Sequence, residues 1–239
     1  HQPLAHRGDL PAMSSALKQL LGQPPLMRYK MGALALCPVL ADRGFFPEEL
    51  LSHFNQLDSP FGMHPDRNKV PGVEMSTGSL GHGLGVAVGV ALSGRLDRAK
   101  WRVYCLLGDG ECHEGSVWEA AMAAAHYKLG NLCAIVDRNM FCIDGPTEEV
   151  MALEPFKGKW EAFGWRTLEV DGHDFAQLIK VFESLPPVED PRPTVVIART
   201  VKGKGVSFME GQGAWHYGGL DSEKERQALE EIEKMRPEG

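Results

Sequence analysis

The sequence predicts a single α/β domain: a doubly wound, mostly parallel sheet with helices on both faces. Residues 103–107 and 132–136 are short apolar runs without alternation, the pattern of strands buried on both faces. Residues 114–129 between them are rich in Ala, Glu, Met and Trp and read as a helix. Strand, helix, strand makes a βαβ unit, whose crossover is right-handed and whose strands are parallel. Two further strands, 167–170 and 195–198, flank a helical stretch at 175–185.

The remaining elements follow in chain order. Residues 13–21 read as a helix, stopped by Gly22-Gln23-Pro24-Pro25. Residues 32–40 are small and apolar and read as a buried helix. Pro47-Glu48-Glu49 opens a short helix with Pro near its first position. Residues 56–80, with Pro60, Pro65 and Pro71, are expected to be irregular. Residues 81–92 are almost all small or aliphatic and read as a buried helix. Gly81, Gly85 and Gly89 fall on one stripe of it, where another backbone is expected to come close. A last helix begins near Asp221. Ser222-Glu223-Lys224-Glu225 fits a capping box, and Leu229 and Ile232 give the helix its apolar face.

Composition narrows the function classes. The chain has 239 residues, 43% apolar and 24% charged, which suits a folded domain and not a disordered one. No run reaches the roughly 18 apolar residues of a membrane span, and the first residues carry no apolar signal-peptide core. The net charge of -7, without a dense Lys/Arg block, argues against a nucleic-acid partner. Cys37, Cys105, Cys112, Cys133 and Cys142 form no CxxC pair, so a reducing cytoplasm is expected and a disulfide scaffold is not. The 27 glycines cluster at 72–94, 108–115 and 203–219, where backbone turns tightly or approaches a ligand.

The strongest local signal is Gly108-Asp109-Gly110 at the end of the first βαβ strand. Ligands of open α/β folds sit beyond the carboxyl ends of the strands. The second strand of the unit runs into Asp137-Arg138-Asn139. Adjacent parallel strands end side by side, so Asp109 and Asn139 can converge. A carboxylate and an amide oxygen are hard ligands suited to Mg²⁺ or Ca²⁺. The helix beginning near Glu114 points its N-terminus at the same place, and helix N-termini bind phosphate. A divalent cation with a diphosphate is the expected occupant. The nucleotide patterns GxxxxGK[ST] and a GxGxxG after the first strand do not occur.

GDG followed at this interval by Asn resembles the thiamine diphosphate motif. Pro71–Gly83, Leu107–Leu132, Ile135–Gly145, Val170–Asp174 and Thr200–Gly205 resemble the N-terminal part of transketolases. The similarity runs over roughly residues 40–218. It implies the diphosphate-binding domain of the thiamine diphosphate fold, filling residues 1–239. The side chains of Asp109 and Asn139, with the backbone carbonyl of Phe141, would then hold Mg²⁺ (or Ca²⁺). Gly108 and Gly110 would admit the diphosphate, and Gly78 and Leu80 would line the cofactor. His6, His64 and His216 match active-site histidines that contact diphosphate or sugar hydroxyls. Glu114 would stand beside the cofactor where two chains meet and connect two active sites. His82, His113, His126 and His173 read as structural, exposed or supporting groups. Cys112-His113 is a weak soft-metal pair, and Lys202 and Lys204 read as phosphate ligands or a solvated loop.

The family's pyrimidine-binding domain, with the glutamate that activates the cofactor, has no counterpart in these residues. The resemblance therefore implies a partner chain, the C-terminal transketolase subunit. It also implies an α2β2 assembly with half of each active site on this chain. The activity implied is transfer of a two-carbon ketol unit from a ketose phosphate to an aldose acceptor. The pattern departs from the family near Lys30, where a Ser-Lys-Gly-His-like segment is expected and Arg28-Tyr29-Lys30-Met31 stands. That segment is either deleted from the protein or left out of these residues. Two other readings stay open: the α subunit of a 2-oxo acid dehydrogenase E1 component, and a catalytically idle paralogue that only binds a partner.

Overall fold

The computed structural model describes residues 33–216 and 219–235. His6, the helix expected at 13–21 and the segment around Lys30 lie outside them. The described strands are β1 (Val103–Gly108), β2 (Leu132–Arg138), the two-residue pair β3 (Phe141–Cys142) and β4 (Gly145–Pro146), β5 (Arg166–Asp171) and β6 (Thr194–Arg199). β1, β2, β6 and β5, in that order, form a parallel four-stranded sheet, and β3 and β4 form an antiparallel hairpin. All four strands expected from the sequence are present. The hairpin carries no sequence signal, because two-residue strands are too short to show a period.

The helices are α1 (Ala33–Asp42), α2 (His82–Leu96), α3 (Gly115–His126), α4 (Thr147–Val150), α5 (Phe156–Ala162), α6 (Phe175–Glu183) and α7 (Ser222–Lys234). Pro47 caps a short 3₁₀ turn at Glu48–His53, where the sequence suggests a short helix. The chain crosses from β1 to β2 through α3 and, in the opposite direction across the sheet, from β5 to β6 through α6. Right-handed crossovers of opposite direction land on opposite faces. One face packs Val103, Cys105, Leu107 and Val136 against Leu84 of α2, Ala121 of α3 and Trp160 of α5. The other packs Cys133, Val196 and Ala198 against Leu178 and Phe182 of α6. This is the doubly wound arrangement expected. α1 and the irregular segment before α2 share a small core, with Cys37, Leu40, Phe46, Phe61, Val70 and Val73 buried together.

The glycine stripe of α2 behaves differently from the expectation. Gly81 is the N-cap, in a left-handed conformation (φ 80°), while Gly85 and Gly89 meet no heavy atom within 4 Å of where a Cβ would stand. The buried side is Gly83, Leu84, Ala87, Val88, Ala91 and Gly94. Close approaches are made at Gly81, where Ser116 Oγ lies 2.4 Å from the place of a Cβ, and at Gly94, where the Trp101 ring lies 2.3 Å from it. A helix small on every side does not declare its inner face by period alone. The cap of α7 is also one residue earlier than the box suggests: Asp221 accepts from the Lys224 N–H at 2.9 Å.

Gly130 stands where the chain enters β2. The carbonyl oxygen of Asp190 passes 1.5 Å from the position of a Cβ there. Gly130→Ala must displace backbone, and we expect it to destabilise the chain by about 3 kcal/mol. A urea midpoint unchanged from wild type would refute this.

Candidate active site

The β1–β2 register sets the site. Gly108 pairs with Asp137, so the two strands release their chains side by side at one end of the sheet. Asp109 follows β1 and is 1% exposed. Its Oδ1 accepts from the Gly110 N–H at 2.8 Å, and its Oδ2 from the Met140 N–H at 2.6 Å and Arg138 Nη1 at 3.2 Å. Asn139 follows β2. Its Oδ1 accepts from the Phe141 N–H at 3.0 Å, and its Nδ2 donates to Asp137 Oδ1 at 3.2 Å. The same Asp137 oxygen accepts from the Thr200 hydroxyl. A Cβ at Gly110 would lie 2.7 Å from Cys142 Cβ and 3.6 Å from the Phe141 carbonyl oxygen. Only glycine lets the β3–β4 hairpin pack so closely there. The register and the Asp109–Met140 bond thus set Asp109 beside the turn that holds Asn139, Met140 and Phe141.

Burial pushes the Asp109 carboxyl upward, opposed by its two backbone N–H donors and by Arg138. A cation beside it would restore the charged form. Arg138 is itself buried and donates to Glu148 at 2.8 Å, Glu154 at 2.9 Å and Thr147 at 2.9 Å. Together with Asp109, three carboxylates surround one guanidinium. The cluster keeps net negative charge, which favours a cation. The Arg138 partners at Glu148 and Glu154 carry no sequence signal, since ion pairing across a loop follows no period. Glu111 is a second group that sequence reasoning misses. It is 4% exposed and bridges two elements: Oε1 accepts from the Gly81 N–H at 3.0 Å and Oε2 from the Gly108 N–H at 3.2 Å. Ser116 Oγ donates to the Gly81 carbonyl at 3.0 Å. These bonds fasten the start of α2, and with it Leu80, to the exit of β1.

Leu80 is 40% exposed there. Gly78 (φ 134°) lies against the His64 ring, with the place of its Cβ 3.1 Å from His64 Cγ. His216 and Phe141 line a cavity of about 420 Å³ together with the β3–β4 turn. Glu114, the N-cap of α3, is exposed, and its side-chain carbons crowd the Cβ position of Gly81. The described residues therefore fall into three groups: Asp109 and Asn139 with Phe141 and His216, the Gly81–Glu111 bridge with Leu80 and Glu114, and the His64–Gly78 contact. His173 is structural: its Nε2 accepts from the Val201 N–H at 2.7 Å. Lys204 pairs with Glu210 at 3.3 Å. Cys112 is buried, its thiol pushed well up by burial, and it contacts the Gly108 carbonyl. Among the described residues, no group of three or more His, Cys, Asp or Glu side chains is placed to hold a metal. A cation here would instead rest on mixed oxygen donors.

The family model described as transketolase, thiamine diphosphate binding domain, matches residues 43–237. The chain belongs to the transketolase family. It is 44% identical over 198 residues to a protein of Phocaeicola vulgatus named as one subunit of an apulose-4-phosphate transketolase, covering 83% of this chain and 70% of that one. It is 40% identical over 203 residues to a 6-deoxy-6-sulfo-D-fructose transketolase subunit of Clostridium sp. strain MSTE9, covering 85% and 74%. The crystal structure of transketolase from Campylobacter jejuni superposes with a TM-score of 0.82 at 29% identity, over 92% of this chain and 37% of that one. The chain thus spans little more than a third of that transketolase. Membership favours this reading over the 2-oxo acid dehydrogenase alternative. Among the described residues, no helix is long and apolar enough to cross a membrane.

The site fits the cofactor of the matched domain. The hard oxygen donors of Asp109, Asn139 and Phe141 and the excess of carboxylates around Arg138 suit the divalent cation that carries a diphosphate.

Proposed function

We propose that this chain is the diphosphate-binding subunit of a two-chain transketolase. With a partner it would move a two-carbon ketol unit from a ketose phosphate, or a related branched or sulfonated sugar, to an aldose acceptor. The observation that carries the reading is the convergence of Asp109, Asn139 and the Phe141 carbonyl beside glycine-flanked backbone. Thiamine diphosphate, when bound, supplies the electron sink that lets the bond beside a ketose carbonyl break.

The chain's own residues hold and orient. Asp109, Asn139 and the Phe141 carbonyl would hold Mg²⁺, and Gly108 and Gly110 give the diphosphate room. Leu80 offers an apolar surface at the start of α2, and Gly78 lies against the His64 ring. His64 and His216 are assigned to exchange protons with sugar hydroxyls, and His6 is assigned with them. The Glu114 side chain is exposed and would reach toward a partner chain. The two relatives named as transketolase subunits support a partner that supplies the pyrimidine-binding half and its glutamate. The family resemblance suggests an α2β2 assembly, and a reducing cytoplasm suits the five unpaired cysteines.

The test is native mass spectrometry of the complex purified through this chain, with thiamine diphosphate and Mg²⁺, followed by NMR detection of ketol transfer over a panel of ketose phosphates. A heteromer with cofactor bound and active is expected. Turnover by this chain alone would end the two-chain reading. A complex that takes up no cofactor would favour the idle paralogue.

A further inference from the structure

A second cavity, of about 370 Å³, lies at the opposite end of the sheet, lined by the last turn of α2, by residues that follow α2 and α3 and precede β1 and β2, and by Val188, Glu189 and Pro191 ahead of β6. Arg95, Arg98, Lys100 and Lys128 line it, with Glu189 as the acidic residue among the lining groups. That is a strongly cationic concavity on a chain of net charge -7. Helix C-termini attract basic side chains by themselves, and two of these four are accounted for locally. Arg95 Nη1 donates to the Tyr127 and Lys128 carbonyls, and Lys100 pairs with Glu189. Arg98 and Lys128 have no ion pair among the described residues.

Their backbone is unusual too. Arg98 (φ 52°) and Lys128 (φ 54°) are left-handed. Both end a helix in the same motif: the Arg98 and Ala99 N–H groups return to Arg95 and Gly94, and the Lys128 and Leu129 N–H groups to Ala125 and Ala124. This position normally takes glycine, because a side chain there is strained. The other left-handed non-glycine residues described are Asn55 and Asp58, types that tolerate the conformation, and Met140, which donates to Asp109 in the candidate active site. The two remaining cases are both long, cationic and without an ion pair, and they line one cavity. Strain of this kind is kept where function needs it.

We propose that this cavity binds the phosphate group of a small anion, with Arg98 and Lys128 as its ligands. The cavity has the volume of a small-molecule pocket and exceeds what a bare ion needs, so a phosphate ester of a small metabolite is the favoured occupant and free phosphate the other source of the same chemistry. The site lies at the other end of the strands from Asp109, so its ligand would not compete with the substrate of the candidate active site.

Thermal melts of the full chain, alone and in its complex, test this with glycerol 3-phosphate and inorganic phosphate against sodium chloride of equal ionic strength. Wild type is expected to show a saturable rise in Tm with the ester. Arg98→Gly/Lys128→Gly relieves the strained backbone, so it should remain folded and bind at least about tenfold more weakly. Arg98→Gln/Lys128→Gln should show the same loss and serves if the glycine pair fails to fold. Asp109→Asn should retain the effect, which separates this cavity from a diphosphate site. Tighter binding of the ester than of phosphate would identify a metabolite, and equal binding would identify the free ion. No rise beyond chloride in wild type, or an equal rise in the double variants, would overturn the proposal.

Discussion

Asp109→Asn is expected to leave a folded chain that has lost thiamine diphosphate uptake with Mg²⁺ and, in complex with its partner, more than about 100-fold of its ketol-transfer rate. The substitution keeps the shape of the side chain. The amide oxygen can still accept from Gly110 or Met140, and Arg138 keeps Glu148 and Glu154. What disappears is the charge of the carboxylate that follows β1 and bonds to the turn after β2. Burial already disfavours the charge on Asp109, so a cation there has both a ligand to gain and a desolvated anion to neutralise. Isothermal titration with Mg²⁺ and thiamine diphosphate reads the effect directly. Wild-type affinity in Asp109→Asn would mean that the cofactor, if bound, is held elsewhere, and the proposed function would fall with it.

The parts of this site that are legible in the sequence are those set by strand endings. Asp109 and Asn139 each come at the end of a short apolar run that reads as a buried strand, and parallel pairing then puts them together. Phe141 and His216 come from family resemblance, and the structure sets them along one cavity wall. Arg138 and Glu111 are beyond reach for a physical reason. Each is charged and buried, and a buried charge is stable only through partners that tertiary structure supplies. Thr147, Glu148 and Glu154, three of the partners of Arg138, follow the β3–β4 hairpin, and those of Glu111 are backbone N–H groups in two different parts of the chain. The inner face of α2 is illegible because small residues surround the helix, so burial there is decided by Trp101 and α3 and not by period.

The second large effect concerns stability. Arg138→Met should destabilise the chain by about 3–5 kcal/mol at neutral pH, since it leaves buried acceptors without their cation. Asp109 and Thr147 are buried with it, and both would lose a donor. The pH dependence separates this cause from simple loss of packing. Hydrogen bonding to Arg138 holds the Glu148 carboxyl down from the ordinary 4.5 to about 2. A carboxyl lowered in the folded state contributes stability above its unfolded pKa and loses that contribution as pH falls toward its folded value. In wild type the Glu148 contribution is therefore whole above about pH 5 and fades between 4.5 and 2. Glu154 is also lowered, first by the Phe156 N–H and then by Arg138, and it adds to the same trend. Asp109 is raised by burial, and without Arg138 it would rise further and protonate sooner. All three changes act in one direction: the stability gap between wild type and Arg138→Met is widest at neutral pH and narrows on acidification. Urea unfolding at a series of pH values measures it. A gap constant from about pH 7 down to about pH 3 would show that Arg138 acts through contacts that do not titrate, such as its guanidinium carbon 5.1 Å from the Phe156 ring centroid, and not through its carboxylate partners.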